Sequence, residues 1–390
     1  MINDKKKMKI VYCIPSLHSS WGMERVLTLK ANYLANQGHE IHIVVTDGGD
    51  KVPYFTLEKS IKTHQLSIEF EELYSHSFLC RAWLYQLRMR KFKQKLNFCL
   101  SEIKPDITVS LLRRDINIIN LMTDGSLKVG EMHFNRLFYR DFSVSWLPSS
   151  IHNYLRKLWM KQLIRKLQKL SAFVVLTYED ASSWAELKNV MVIPNPTSFY
   201  PDILSDSTNK QVITAGRYVS QKGFDRLIVA WKKVIDVHPD WVLKIYGDGW
   251  QREQLQRQVE DLGLSDSCFL EHTTSDLGAK FEESSIFVLS SRFEGFGLVI
   301  IESMAYGLPV VAFDCHCGPS EIISDEVDGL LVTEGDIEKL AEKIIWLIEH
   351  EELRKEMGKH ARQKVEKYKI EHIGAKWESL FESLLKQNRR

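Results

Sequence analysis

Short apolar runs rich in Val and Ile alternate along the chain with longer stretches whose apolar residues recur at spacings of three and four. Runs of four to six such residues have the length of strands buried on both faces, and the periodic stretches between them have the pattern of helices laid over a sheet. That alternation calls for parallel strands joined by helical crossovers. In the first half, strands are predicted at residues 9–14, 41–46, 107–112, 129–132 and 173–177. In the second they are predicted at 211–215, 242–246, 268–270, 286–289 and 310–313. The helix after the first strand is expected to begin near Trp21 and to stop at Gln37-Gly38, where glycine accepts the left-handed C-cap.

At 390 residues the chain exceeds one ordinary core. The stretch from Ile193-Pro194-Asn195-Pro196 to Lys210 gathers Pro, Ser and Asp without any sustained period, which marks a linker. The organisation expected is a first domain over 1–195, a linker over 196–210, a second domain over 211–372, and a terminal helix, 373–390, that returns to the first. The fold class is α/β, two doubly wound Rossmann-like domains facing across a cleft, with ligands beyond the carboxyl ends of the strands. Hydrophobic residues at 44% and charged ones at 26% suit a chain that folds unaided.

Net charge is +1, yet residues 1–195 hold 28 Lys and Arg against 18 Asp and Glu, and the remainder 24 against 33. The basic excess concentrates in 81–95 and 156–169, where cations are interleaved with Trp, Leu and Tyr. Such amphipathic helices suit an anionic membrane surface, and the competing reading is two solvated helix faces. No nucleic-acid module is recognisable. The Lys-rich opening followed by residues 8–15 reads as a buried strand and not a signal peptide, because the apolar run includes Lys9 and ends without a small-residue cleavage site. No stretch reaches the roughly 18–20 apolar residues that span a bilayer, and a cytoplasmic location is expected. Six scattered cysteines without a CxxC pair read as reduced thiols. Cys315-His316-Cys317 is too crowded, and lacks a second pair, to be read as a metal site, so no metal is expected.

The most informative stretch is SSRFEGFGLVIIESMAYGLP, residues 290–309. A buried strand ends in a Gly-rich turn that opens a helix near Leu298, and the first amides of such a helix favour anionic or hydroxyl-rich ligands. Glu294 at the turn and Glu302 inside the helix can each accept paired hydroxyl hydrogen bonds, as sugar diols require. Taken alone, the two acids could equally be a solvated loop carboxylate and a helix-surface charge. A second motif follows the strand at 211–215, with Gly216-Arg217 and then Lys222-Gly223. The arginine offers a paired fork and the lysine a mobile charge, together suited to a diphosphate. Gly247 lies in a Gly-Asp-Gly turn that lets backbone approach a ligand.

Residues 291–314 resemble the signature of the family 4 retaining glycosyltransferases of GT-B fold (glycosyl transferases group 1), and the resemblance runs through most of the second half and more weakly through the first. It implies a hexosyltransferase whose first domain binds the acceptor and whose second binds a nucleotide sugar. It places Glu294 on donor-sugar hydroxyls, Glu302 on the ribose, the amides of Phe296, Gly297 and Leu298 on the sugar or diphosphate, and Gly216, Arg217 and Lys222 at the phosphates. It sets Gly247 beside the nucleotide and His272 and Thr273 near the base. Ser19-Ser20-Trp21-Gly22-Met23-Glu24 resembles the family's glycine-rich loop with Trp21 replacing its first glycine, and Gly22 still offers an amide. His133, after the strand at 129–132, matches the family histidine over the donor sugar.

The resemblance further implies retention at the anomeric carbon. With no carboxylate nucleophile evident in the first half, a front-face route is expected, in which Arg217 and Lys222 offset the leaving diphosphate without a metal cofactor. The donor expected is UDP-linked, carrying a hexose or N-acetylhexosamine, and the acceptor a saccharide or polyprenyl-diphosphate-linked saccharide of surface polysaccharide or lipopolysaccharide. Two other readings stand beside it: a sugar-nucleotide-binding protein without transferase activity, which Trp21 favours, and a GT-B-type epimerase.

Overall fold

The computed structural model describes residues 7–49, 51–75, 77–138 and 149–388. The strands are β1 (Lys9–Ile14), β2 (Glu40–Val45), β3 (Lys62–Gln65), β4 (Ile107–Ser110), β5 (Leu127–Glu131), β6 (Ala172–Val175), β7 (Val190–Val192), β8 (Gln211–Ala215), β9 (Val242–Tyr246), β10 (Cys268–Glu271), β11 (Ile286–Leu289), β12 (Val310–Asp314) and β13 (Gly329–Thr333). The helices are α1 (Gly22–Asn36), α2 (Phe78–Ile103), α3 (Ser149–Leu167), α4 (Tyr178–Ser183), α5 (Phe224–Val237), α6 (Arg252–Asp261), α7 (Leu277–Glu282), α8 (Leu298–Met304), α9 (Pro319–Ile322), α10 (Ile337–Glu349), α11 (Glu351–Val365) and α12 (Ile370–Asn388).

Two compact units result. The first takes 1–176, 180–196 and 370–390, and the second 177–179 and 197–369. Each is built on one sheet, of order β3-β2-β1-β4-β5-β6-β7 in the first and β10-β9-β8-β11-β12-β13 in the second. Among the described residues every strand pairing is parallel. The order reverses direction between β1 and β4 in one sheet and between β8 and β11 in the other. Loops leaving the carboxyl ends of those strands diverge there and leave a crevice, the usual ligand position in an open α/β sheet.

The central strands are the Val- and Ile-rich runs, and their side chains are almost wholly buried. Three strands were not anticipated. β3, KTHQ, and β7, VMV, are exposed or half-buried edge strands without a long apolar run, as edges tend to be. β13, GLLVT, is a largely buried edge strand at the point where the sequence pattern passes into helices. In the second unit α5 and α10 turn Trp231, Val234, Ile344 and Leu347 into the core. Asp336 caps α10 by accepting from the Lys339 amide at 2.9 Å.

The expected linker, 196–210, is corrected: from Thr197 onward it is packed into the second unit. The Thr197 amide donates to the Tyr368 carbonyl at 2.8 Å and the Ser205 amide to Tyr306 at 3.0 Å. The buried Arg354 guanidinium donates to the Ser207 carbonyl at 2.9 and 3.2 Å. These bonds fix a segment that has no period of its own. The second unit accordingly ends at 369, and α12 belongs to the first from its first residue. α12 lies against α1 so closely that a Cβ on Gly374 would stand 2.3 Å from the Tyr33 ring. His39 on the loop after α1 lies 3.0 Å from Glu378 of α12, both buried. Since the Met8 amide donates to His39 Nδ1, Nε2 carries the proton that Glu378 accepts.

Candidate active site

In the second unit the two loops at the reversal of strand order are laced together. After β8 the chain runs Gly216-Arg217 to a turn ending at Gly223, whose φ is +64° and whose Cβ would stand 2.0 Å from the Ser290 carbonyl oxygen. Only glycine fits there, on both counts. The Arg292 amide donates to the Gln221 carbonyl at 2.8 Å, Gln221 Nε2 to the Phe293 carbonyl at 3.1 Å, and Ser290 Oγ to the Lys222 carbonyl at 2.9 Å. Arg292 also forks onto both Asp225 oxygens, at 2.9 and 2.6 Å.

This lacing sets Lys222 Nζ 2.7 Å from Glu294 Oε1, which also accepts from Ser291 Oγ at 2.6 Å. The Glu294 amide is pinned to the His316 carbonyl at 3.1 Å. Glu294 is buried at 6% exposure and Glu302 at 3%, so neither is the solvated charge that the plain reading of the sequence allowed. Arg217 is on the same β8–α5 loop with its side chain exposed. Gly297 adopts φ +88° and starts α8, a helix of seven residues. Phe296 is buried edge-on against Tyr368, and Leu298 is half-buried.

The Gly-Asp-Gly turn joins this group through backbone. A Cβ on Gly247 would stand 1.9 Å from the Gly216 carbonyl oxygen, so the two loops touch main chain to main chain. Asp248 was missed as a candidate and organises the next pair. It lies 2.7 Å from His272 Nδ1 and accepts from the Thr273 amide at 3.0 Å and hydroxyl at 2.9 Å. Those bonds, the backbone one foremost, hold its carboxyl down at about 2. His272 is largely exposed. The structure thus gathers Gly216, Lys222, Gly247, Glu294, His272 and Thr273 onto interlocked loops at one end of the sheet. It also brings Glu179 to His316 and Cys317, their ligand-type atoms within 4.8 Å of one another, a proximity that sequence spacing does not reveal.

In the first unit, Gly22 opens α1 just after β1, and the exposed Trp21 precedes it without a side-chain cap. Glu24, in the first turn, is buried with Oε2 lacking a hydrogen-bond partner, and burial pushes its carboxyl up to about 7. The sequence places it in the glycine-rich loop motif without giving it a role. His133 follows β5, two residues after the buried Glu131, with Nε2 3.1 Å from Glu131 Oε1. Glu131 in turn holds Lys30 of α1, with Lys30 Nζ 2.5 Å from Oε2.

Among the described residues no helix is long and apolar enough to cross a membrane. Residues 199–364 match the family model of the glycosyl transferases group 1. The chain is 28% identical to an uncharacterised glycosyltransferase of Haemophilus influenzae, covering 95% of this chain and 99% of that one. It is also 28% identical to the GalNAc-alpha-(1->4)-GalNAc-alpha-(1->3)-diNAcBac-PP-undecaprenol alpha-1,4-N-acetyl-D-galactosaminyltransferase of Campylobacter jejuni, covering 95% and 97%. Among solved structures it superposes on Staphylococcus aureus TarM, in complex with fondaparinux, alpha-GlcNAc-glycerol and UDP, with a TM-score of 0.78 at 19% identity over 96% of this chain and 99% of that one. The protein is therefore a glycosyltransferase of GT-B fold whose residues 199–364 match the model of the glycosyl transferases group 1.

Proposed function

We propose that the protein is a retaining glycosyltransferase that moves a hexose or N-acetylhexosamine from a UDP-sugar to a saccharide or polyprenyl-diphosphate-linked saccharide in surface-glycan assembly. The observation that carries this reading is the Lys222–Glu294 contact at the β8/β11 reversal, which sets a cation and a diol-binding acid side by side. The relative that acts on an undecaprenyl-diphosphate-linked glycan and the neighbour bound to UDP support the donor and acceptor classes.

In this mechanism Glu294 orients the sugar hydroxyls and Glu302 the ribose. Arg217 and Lys222 face the diphosphate, whose charge grows as the glycosidic bond lengthens, and the departing phosphate takes the acceptor's proton. Lys222 exchanges its contact with Glu294 for one with phosphate, so its charge is worth most in the transition state. Two cations in place of a bound metal imply that chelators leave the rate unchanged. His133 serves the donor sugar, and Gly22 offers its amide to the donor phosphate or the acceptor. Contact with an anionic membrane is supported by α2 and α3, which expose Trp83, Phe98, Tyr154 and Trp159 among their cations. A cytoplasmic site of action follows from that donor.

The deciding experiment measures UDP release from UDP-sugars with and without a polyprenyl-diphosphate-linked acceptor, followed by the anomeric configuration of the product. Acceptor-dependent release with retention supports the reading. Binding without release indicates the non-catalytic protein, and conversion of the sugar without acceptor indicates the epimerase.

A further inference from the structure

The first unit holds a buried cluster that the donor-site reading does not use. Lys30, from the middle of α1, and Glu131, at the end of β5, are each 1% exposed. Both Glu131 oxygens face Lys30 Nζ. The ammonium also lies 4.4 Å from the centre of the Trp377 ring, on α12, and 5.9 Å from that of Tyr12, on β1. Burying a lysine and a carboxylate is costly in desolvation unless each is fixed against the other, which raises the question of what else the pair does. His133 supplies an answer. Its Nε2 is buried, 3.1 Å from Glu131 Oε1, and at an angle that falls short of a hydrogen bond. A buried ring nitrogen needs a partner, and Glu131 is the acceptor within reach.

We propose that Glu131 is the positioning residue for His133, and that Lys30 and Trp377, brought from opposite ends of the chain, hold Glu131 as the fixed carboxylate on which the ring aligns. With Nε2 turned to Glu131, Nδ1 is the nitrogen left to meet a sugar hydroxyl, and the tautomer is set without any group from the ligand. The titratable groups around the carboxylate are Lys30 from α1, Tyr12 from β1 and His133 itself. Burial works to raise Glu131, but the Lys30 and His133 charges outweigh it and carry the carboxyl down to about 2. It therefore stays ionised through the working pH range. This inference rests on His133 being a site residue.

The test couples turnover to a direct reading of the ring tautomer. In full-length Glu131→Gln, kcat is expected to fall about tenfold with donor KM changed less than about twofold. The His133 ring nitrogens, followed by 15N NMR without substrate, should lose the single tautomer that Glu131 imposes, and Glu131→Asp should recover part of both effects. Because Glu131→Gln strands the Lys30 ammonium, Lys30→Met/Glu131→Gln is measured beside it and is expected to melt cooperatively with the same loss of tautomer preference. An unchanged ring tautomer in the folded double variant overturns the proposal. Should His133→Ala leave turnover intact, the site reading of His133 fails, and the ring tautomer still decides whether Glu131 positions it.

Discussion

Each unit pairs a lysine with a glutamate near the carboxyl end of its sheet, and the two pairs are built oppositely. Lys30–Glu131 is sealed at 1% exposure on each side, with an aromatic ring from α12 over the ammonium. Lys222–Glu294 is left open, the lysine 16% and the glutamate 7% exposed, and both sit on loops. A sealed pair cannot exchange partners without unfolding its surroundings, whereas a half-open pair can hand its cation to an arriving phosphate at modest cost. The difference teaches which charges are scaffold and which are tools.

The largest effect expected is on the sealed pair. Lys30→Ala leaves Glu131 as a lone buried carboxylate and should cost about 3–5 kcal/mol of stability in thermal or urea unfolding, with donor affinity unchanged in whatever remains folded. Lys222→Ala should do the reverse, lowering kcat about 10²–10³-fold, roughly 3–4 kcal/mol of transition-state stabilisation, while the melting temperature moves little. Equal behaviour of the two variants in both assays breaks the contrast. A smaller effect concerns Glu24. Its folded pKa of about 7 lies above the ordinary glutamate value, so the native state binds the proton more tightly, and stability falls between about pH 4.5 and 7 as that proton is lost. Glu24→Gln should remove this slope and raise stability above pH 7 by about 1–3 kcal/mol, read from urea midpoints at several pH values. The smallest expected change is Asp248→Ala, which frees Thr273 and His272 and should raise donor KM about three- to tenfold with kcat nearly constant. An unchanged KM would remove this turn from the donor site.

How much of this is legible in the chain follows from range. The buried central strands can be read because runs such as VYCI and IFVL are apolar whatever their neighbours do, and the glycine-bounded loops can be read because Gly223 and Gly297 answer local backbone demands. Lys222 and Glu294 were nameable from their motifs, although their contact spans 72 positions. Lys30 was not: a lysine between Leu29 and Ala31 looks like a solvent-facing helix position, and its partner stands 101 residues away. Asp248 stayed hidden for the same reason, since its bonds are to residues 24 and 25 positions on. β3 went unseen because KTHQ carries no apolar run, its pairing with β2 resting on backbone and on the polar contacts of His64 with His42 and Lys62 with Glu40.

The return of α12 to α1 has a consequence for how the protein is made. Residues 370–388 are the last of the described chain to leave the ribosome, so until they arrive the nascent first unit lacks the ring that covers Lys30 and the carboxylate that receives the His39 proton. Domains usually mature in the order of synthesis. Here the earlier one has to wait, with an apolar face of α1 uncovered, while the whole of the later one is translated.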